Sequence, residues 1–172
     1  GALARGAAVF VQPALVPGAD FERDSMTLVD DRPGEKGFLR IYNGKDLTGW
    51  TGNPKLWSVK DDAITGQTTA ENPTKGNTFL IWTNGTVADF ELRCSFRLVP
   101  GDAKGFANSG NQYRSNDMDP ATWAVGGYQA DMEAGPTYTG ILYEERRTRG
   151  IMAARGEKVL GAKDGKKQVG GA

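Results

Sequence analysis

In the stretch VGGYQADMEAG, residues 125–135, an amide and a carboxylic acid stand two residues apart at Gln129 and Asp131. On a β-strand that spacing puts both side chains on one face. A carboxylate beside an amide is a proton acceptor next to a hydrogen-bond donor, a pairing suited to holding a hydroxylated molecule and moving one of its protons. GNQYRS, residues 110–115, repeats the spacing with Gln112 and Arg114. With the two faces aligned, Gln112, Arg114, Gln129 and Asp131 form a polar quartet across neighbouring strands, able to grip vicinal hydroxyls. A solvated sheet face carrying an Arg–Asp cross-strand pair is the plainer reading of the same four residues.

GILYEE, residues 140–145, adds two more acids, and strand parity separates them. Leu142 and Glu144 share one face; Ile141, Tyr143 and Glu145 share the other. Leu142 suits a core, which turns Tyr143 and Glu145 toward the quartet. A bulge in this glycine-bounded strand would select Glu144 instead. Asn108, entering GNQYRS through Asn108-Ser109-Gly110, reads equally as a turn residue or as a contact at the rim of a site. Trp123, in a loop just ahead of GGYQAD, is the tryptophan suited to stacking on a sugar ring. Trp57 and Trp82 lie in apolar runs and read as core, while Trp50 follows a turn and reads as a structural anchor.

Other residue types narrow the chemistry. The chain has no histidine, which removes Ser-His-Asp and Cys-His machinery and imidazole-based zinc sites. Acid–base work falls to Asp, Glu, Tyr or Lys. Cys94 is alone and sits in an alternating apolar register, so it reads as a small core residue with no intrachain disulfide. Twenty-one basic and twenty-one acidic residues cancel, which leaves no global field for nucleic acid or anionic lipid. Arg146, Arg147 and Arg149 are the nearest thing to a basic patch and read as a solvated loop. Residues 116–120, Asn-Asp-Met-Asp-Pro, crowd oxygen ligands but lack the length and glycine of a calcium loop, so a turn is expected. The sequence requires no cofactor; a divalent metal is compatible with it, without an identifiable ligand set. No run is long enough to span a membrane, and no protein partner is indicated. The small, apolar first residues favour an exported protein, periplasmic or secreted.

The elements that must hold these side chains are short strands. Twenty-four glycines punctuate the chain, and between them lie FLRIYN (38–43), KLWSVK (55–60), AITGQ (63–67), TFLIW (78–82), DFELRCSFRL (89–98), GNQYRS, GYQADM (127–132), GILYEE and GIMAA (150–154). In DFELRCSFRL the apolar face is Phe90, Leu92, Cys94, Phe96 and Leu98. Asp61-Asp62 is a hairpin turn between two of the strands. No stretch carries a sustained helical stripe, so an all-β sandwich or barrel is expected. Residues 1–36, with Pro13, Pro17 and Pro33, read as an irregular arm before a domain over 37–172.

YNGKDLTGW, residues 42–50, resembles the opening signature of the 3-keto-disaccharide hydrolase family, once catalogued as a domain of unknown function. Trp57-Ser58-Val59, TFLIW, DFELRCSFRL, NSGNQYRS, GGYQAD and TGILYEE follow in the family's order, so the resemblance covers about residues 37–160. It implies a concanavalin-like jelly-roll β-sandwich of two curved antiparallel sheets, with closing strands expected beyond residue 172. It also implies cleavage of glycosides already oxidised to a ketone at C3. The C3 carbonyl acidifies the C2 proton, a base removes it, the C1 substituent is expelled, and water adds back. In that scheme Asp131 is base or acid, with Glu145 or Glu144 as its counterpart. Arg114 and Gln129 donate to the C3 oxygen, and Gln112 and Tyr143 position hydroxyls; a divalent metal is an alternative to Arg114. Two departures fall near this site: Gly127 stands where many members carry an acid, and Asn111 where an aliphatic residue is usual. A non-catalytic, lectin-like carbohydrate module would use the same side chains. Conventional glycoside hydrolysis needs a pair of inward acids, and parity makes only Asp131 secure.

Overall fold

The computed structural model describes residues 8–11, 24–29, 39–87, 90–100, 107–161 and 167–169. Among them the regular elements are β-strands and one 3-10 turn, Pro120–Thr122. In chain order the strands are β1 (Ala8–Val11), β2 (Asp24–Val29), β3 (Trp50–Thr51), β4 (Trp57–Lys60), β5 (Ala63–Thr68), β6 (Thr78–Trp82) and β7 (Ser95–Val99). They continue with β8 (Asn108–Asp119), β9 (Ala124–Glu133), β10 (Leu142–Glu145), β11 (Gly150–Ala153), β12 (Val159–Gly161) and β13 (Lys167–Val169). A seven-stranded sheet has the order β11-β10-β9-β8-β1-β6-β3, and a four-stranded sheet the order β4-β5-β2-β7. β12 and β13 form a separate antiparallel pair. The expected all-β sandwich is the observed architecture.

Tyr42, Leu56, Trp57, Ile64, Leu80 and Met132 form the core between the two large sheets, with Trp50, Val59 and Leu98 packed against it. Each such side chain contributes roughly 1.5–3 kcal/mol through burial. β6 explains why TFLIW is apolar throughout: all five of its residues are buried. Leu80 faces the inter-sheet core, while Phe79 and Ile81 join Val125 in a second cluster, with Trp123 against it. A strand buried on both faces loses the alternation of a half-wet strand.

Turns follow local chemistry. Asp61 and Asp62 take φ of 50° and 59°, the left-handed pair of a two-residue hairpin between β4 and β5. In YNGKDLTGW, Asn43 Oδ1 accepts from the backbone N–H of Lys45 at 2.8 Å and of Asp46 at 3.0 Å. Asp46 Oδ1 in turn accepts from Asn43 Nδ2 at 2.7 Å and Thr48 N at 2.8 Å. The Thr48 side chain, then Asn43, then the Thr48 N–H hold its carboxyl down at about 2. Trp50 Nε1 donates to the Ile41 carbonyl at 2.9 Å, locking the signature onto the core. The signature is a folding element.

Three segments differ from expectation. The run 39–43 forms no strand, because Tyr42 and the Ile41 carbonyl are engaged by the core and by Trp50. Among the described residues of DFELRCSFRL only Ser95–Val99 form a strand, and Phe90 and Phe96 are exposed at 42% and 43%, so the alternation there does not mark a fully dry face. Residues read as an irregular arm contribute two strands: β1 pairs with β6 and β8, and β2 with β5 and β7. Both are short alternating or β-branched runs that the surrounding prolines and glycines disguised. Among the described residues no helix is long and apolar enough to cross a membrane.

Candidate functional site

The site is built on the paired strands β8, β9 and β10. Gln112 lies opposite Gln129, and Gln129 lies opposite Tyr143, so one row crosses three strands. One step along β9, Asp131 lies opposite Gly110; in the other direction Gly127 lies opposite Glu145. The register between β9 and β10 is unbroken, and the irregularity beside Leu142 and Tyr143 belongs to the pairing with β11. Parity therefore holds, and Tyr143 and Glu145 share the face of Gln129 and Asp131.

Glu144 takes the opposite side. It lies across from Tyr128 and accepts from the Arg149 backbone N–H at 2.9 Å and from Arg149 Nε at 2.8 Å, with Arg149 Nη2 also bonded to it. Arg149 in turn stacks over the Tyr128 ring, 5.5 Å from its centroid. The Arg149 hydrogen bonds pull the Glu144 carboxyl below its usual range. Glu144 closes the β10–β11 turn.

The row is interior. Gln112 is 0% exposed, Gln129 1% and Asp131 9%, so this face is not the open, solvated surface that alternation alone suggested. Asp131 Oδ1 accepts from Asn108 Nδ2 at 3.1 Å and from the Met132 backbone N–H at 3.0 Å, and the Gln129 amide bonds the same carboxyl. Even so, burial outweighs these bonds and raises Asp131 to about 6. Gln112 Nε2 and Oε1, Gln129 Oε1 and Asn108 Oδ1 are buried without a hydrogen-bond partner. The other unpaired buried atoms, Tyr42 Oη, Trp57 Nε1 and Thr74 Oγ1, occur one to a residue elsewhere. An unmade hydrogen bond to a buried group costs about 1–3 kcal/mol, so a cluster of them around a carboxyl calls for a polar partner from outside these side chains.

Arg114 does not join the row. A bulge between Tyr113 and Asn116 puts Arg114 at φ 48° and leaves it exposed. The extra residue shifts the phase, so Ser115, 3% exposed, takes the buried position opposite the quartet's strand. A Cβ on Gly127 would lie 2.3 Å from Ser115 Oγ and 2.8 Å from the Arg114 carbonyl oxygen. Gly127 thus makes room for the bulge. Gly110 makes room for the amide, since a Cβ there would meet Gln129 Cγ at 2.6 Å. Both glycines make room for neighbouring protein groups.

Glu145 anchors the other end of the face. Its Oε2 accepts from Asn77 Nδ2 at 2.7 Å, and Arg146 Nε lies 3.6 Å from Oε1. Burial raises its carboxyl, with Asn77 and Arg146 opposing. Trp123, half-buried and at φ 51°, lies against the Phe79–Ile81–Val125 cluster and donates its Nε1 to Thr51 Oγ1 at 3.2 Å. Its strained backbone is held by the Phe79 N–H, which donates to the Trp123 carbonyl at 3.1 Å. Trp123 therefore belongs to an apolar end of the same face, apart from the amide row.

Residues 37–169 match the family model for the 3-keto-alpha-glucoside-1,2-lyase-like domain. The chain belongs to that family. It is the family to which YNGKDLTGW and the ordered matches after it pointed. No curated protein and no solved structure matches the chain significantly. Membership points to lyase- or hydrolase-like chemistry on 3-keto-glycosides, with a small sugar as substrate.

Within this 3-keto-alpha-glucoside-1,2-lyase-like domain, the structure lines Asn108, Gln112, Gln129, Asp131, Tyr143 and Glu145 along one face, with Glu145 at its far end from Asp131, and sets aside Arg114 and Glu144. Ser115 and Asn77 were not foreseen. Ser115 reaches the buried face through a bulge that no spacing rule reveals, and Asn77 meets Glu145 across 68 residues of sequence. Asn111, the second departure from the family pattern, faces away and donates its Nδ2 to Cys94 Sγ at 3.4 Å. The turn expected over residues 116–120 lies further along: Asn116–Asp119 close strand β8, and the 3-10 turn is Pro120–Thr122, where Asp119 Oδ1 accepts from the Ala121 N–H at 3.0 Å. Among the described residues no three acidic or cysteine side chains gather as a metal-ligand set.

Proposed function

We propose that the protein cleaves 3-keto-glycosides by abstracting the C2 proton, eliminating the C1 substituent and hydrating the resulting enone. The observation that carries this reading is the buried, unpaired amide of Gln112 facing Gln129 and Asp131. Asp131, raised to about 6, is a base matched to neutral pH and to a carbon acid activated by the neighbouring carbonyl. Gln112 Nε2 is an uncommitted donor for the C3 oxygen, where charge accumulates as the enolate forms. The free acceptors, Gln112 Oε1, Gln129 Oε1 and Asn108 Oδ1, suit sugar hydroxyls. Glu145 is the second carboxyl on the face.

The test is incubation of the protein with matched 3-keto and ordinary glucosides, with and without chelator. Release of the aglycone from the 3-keto compound alone supports the reading. Binding of unoxidised glycans without cleavage assigns the site to a lectin-like module, and cleavage of ordinary glucosides assigns it to paired-carboxylate hydrolysis.

A further inference from the structure

Elimination needs a proton for the departing oxygen at the carbon next to the one that loses its proton. The two candidates on the Asp131 face stand at different distances from it. Glu145 is opposite Gly127, four residues along β9 from Asp131. At about 3.4 Å per residue and about 4.8 Å between strands, their Cα atoms are roughly 14 Å apart. Tyr143 is opposite Gln129 and hence the diagonal neighbour of Asp131, a relationship that spans about 7–8 Å. Its side chain is half-buried, and the charges that act on its phenol are those of Glu145 and Asp131, one on each side.

Resting on the 3-keto-glycoside reading above, we propose that Tyr143 is the general acid that protonates the leaving oxygen, and that Glu145 is a positioning residue beside it. Asp131 takes the C2 proton, and the electron pair left on carbon passes into the C3 carbonyl as an enolate. The enolate re-forms the carbonyl, the C1–C2 double bond forms and the C1–O bond breaks. The Tyr143 hydroxyl gives its proton to the released aglycone oxygen. In the return half, tyrosinate takes a proton from water as its hydroxyl adds to C1, and protonated Asp131 returns a proton to C2. The sum is 3-keto-glycoside plus water giving 3-keto sugar plus alcohol. Burial, then Glu145, then Asp131 hold the phenol protonated until it is needed. Glu145, tied to Asn77 and Arg146, fixes the local field and the ring's position.

The test compares wild type, Tyr143→Phe and Glu145→Gln on two 3-keto-glucosides, one with a nitrophenol and one with an aliphatic alcohol as aglycone. C2 proton exchange is followed in deuterium oxide on the same samples. Tyr143→Phe is expected to keep C2 exchange and to cleave the nitrophenyl compound within about tenfold of wild type, while losing about 10²–10⁴-fold on the alkyl compound. Glu145→Gln is expected to lose equally on both aglycones. Wild type is expected to show little dependence on leaving-group acidity, a measurement that does not require the variants to fold. Unchanged alkyl cleavage in Tyr143→Phe, equal loss on both aglycones, or a steep wild-type dependence on the leaving group overturns the assignment. Wild type that neither exchanges C2 nor cleaves either 3-keto compound removes the underlying reading instead.

Discussion

Gln112 and Gln129 face each other across β8 and β9, both buried, with Gln112 Nε2, Gln112 Oε1 and Gln129 Oε1 all lacking a hydrogen-bond partner. A folding core would avoid that arrangement, since apolar side chains of the same size would pack there without desolvating an amide. In the proposed function the pair is a binding element, and ligand contacts offset its stability cost.

Gln112→Met keeps the volume and removes both unpaired atoms. The unliganded protein is expected to gain about 1 kcal/mol, or roughly 2–4 °C in Tm. Turnover of a 3-keto-glucoside is expected to fall by about 10²–10³-fold, the usual loss of one donor to a developing oxyanion. Thermal unfolding and kinetics on one preparation check both. A stabilised variant with wild-type turnover would take Gln112 out of the site.

In the proposed reaction Asp131 sets the pH dependence. Its carboxyl must be ionised to act as a base, so kcat/KM is expected to fall as pH drops through about 6. Asn108 and Gln129 bond the charged form, and removing either bond moves that limb to higher pH. Asn108→Ala should therefore shift the acid limb upward without abolishing activity. Stability runs the opposite way. Because the folded value is raised above 3.8, the protonated group favours folding, an advantage complete below about 3.8 and lost as pH rises through about 6. Asp131→Asn is accordingly expected to raise Tm at pH 8 and to leave it unchanged near pH 3.5. Loss of stability at pH 8 in that variant would contradict the burial-driven shift.

The two adjacent glutamates are expected to fail differently. Glu144 accepts three hydrogen bonds from Arg149 and closes the β10–β11 turn, so Glu144→Gln should cost about 1–2 kcal/mol of stability and leave kcat near wild type. The Arg149 bonds lower the Glu144 carboxyl, so its contribution is present above its ordinary value of 4.5 and lost as pH falls. Glu145→Gln should change Tm less, because the Asn77 bond can be remade to an amide oxygen, and should lower kcat. Denaturant unfolding beside steady-state kinetics separates the pair; equal behaviour would mean that parity had assigned their faces wrongly.

Much of this was legible in the sequence, because strand alternation is a local rule. Two-residue spacing gave Gln129 with Asp131, Tyr143 with Glu145, and Asn111 on the far face, and the structure keeps all of these relations. Arg114 was misassigned because a bulge breaks the count after Tyr113, and bulges leave no consistent mark in composition. The enclosure of the row was also invisible. Gln112 and Gln129 read as wet-face residues, and only tertiary packing makes them 0% and 1% exposed. Asn77 could not be found, because its partner Glu145 lies 68 residues away. β1 and β2 were hidden by neighbouring prolines and small residues, which outweighed four- and six-residue strands in a reading by composition.

The two glycines of the site separate binding from folding. At Gly127 a methyl group would lie 2.3 Å from Ser115 Oγ and 2.8 Å from both the Arg114 carbonyl oxygen and Ser115 Cα. The last two are backbone and cannot rotate away. Gly127→Ala is therefore expected to cost about 1–3 kcal/mol and to disturb the bulge itself. At Gly110 the closest atoms, Gln129 Cγ at 2.6 Å and Cδ at 2.8 Å, belong to a side chain that can swing aside, although the Ala130 carbonyl oxygen at 3.0 Å limits the relief. Gly110→Ala is expected to cost less stability and to lose more activity, because the displaced amide is the one that bonds Asp131. With that bond gone the acid limb of the pH profile should also move upward, as in Asn108→Ala. Greater stability loss at Gly110 than at Gly127, with the pH profile unmoved, would show that Gln129 does not regulate the carboxyl it touches.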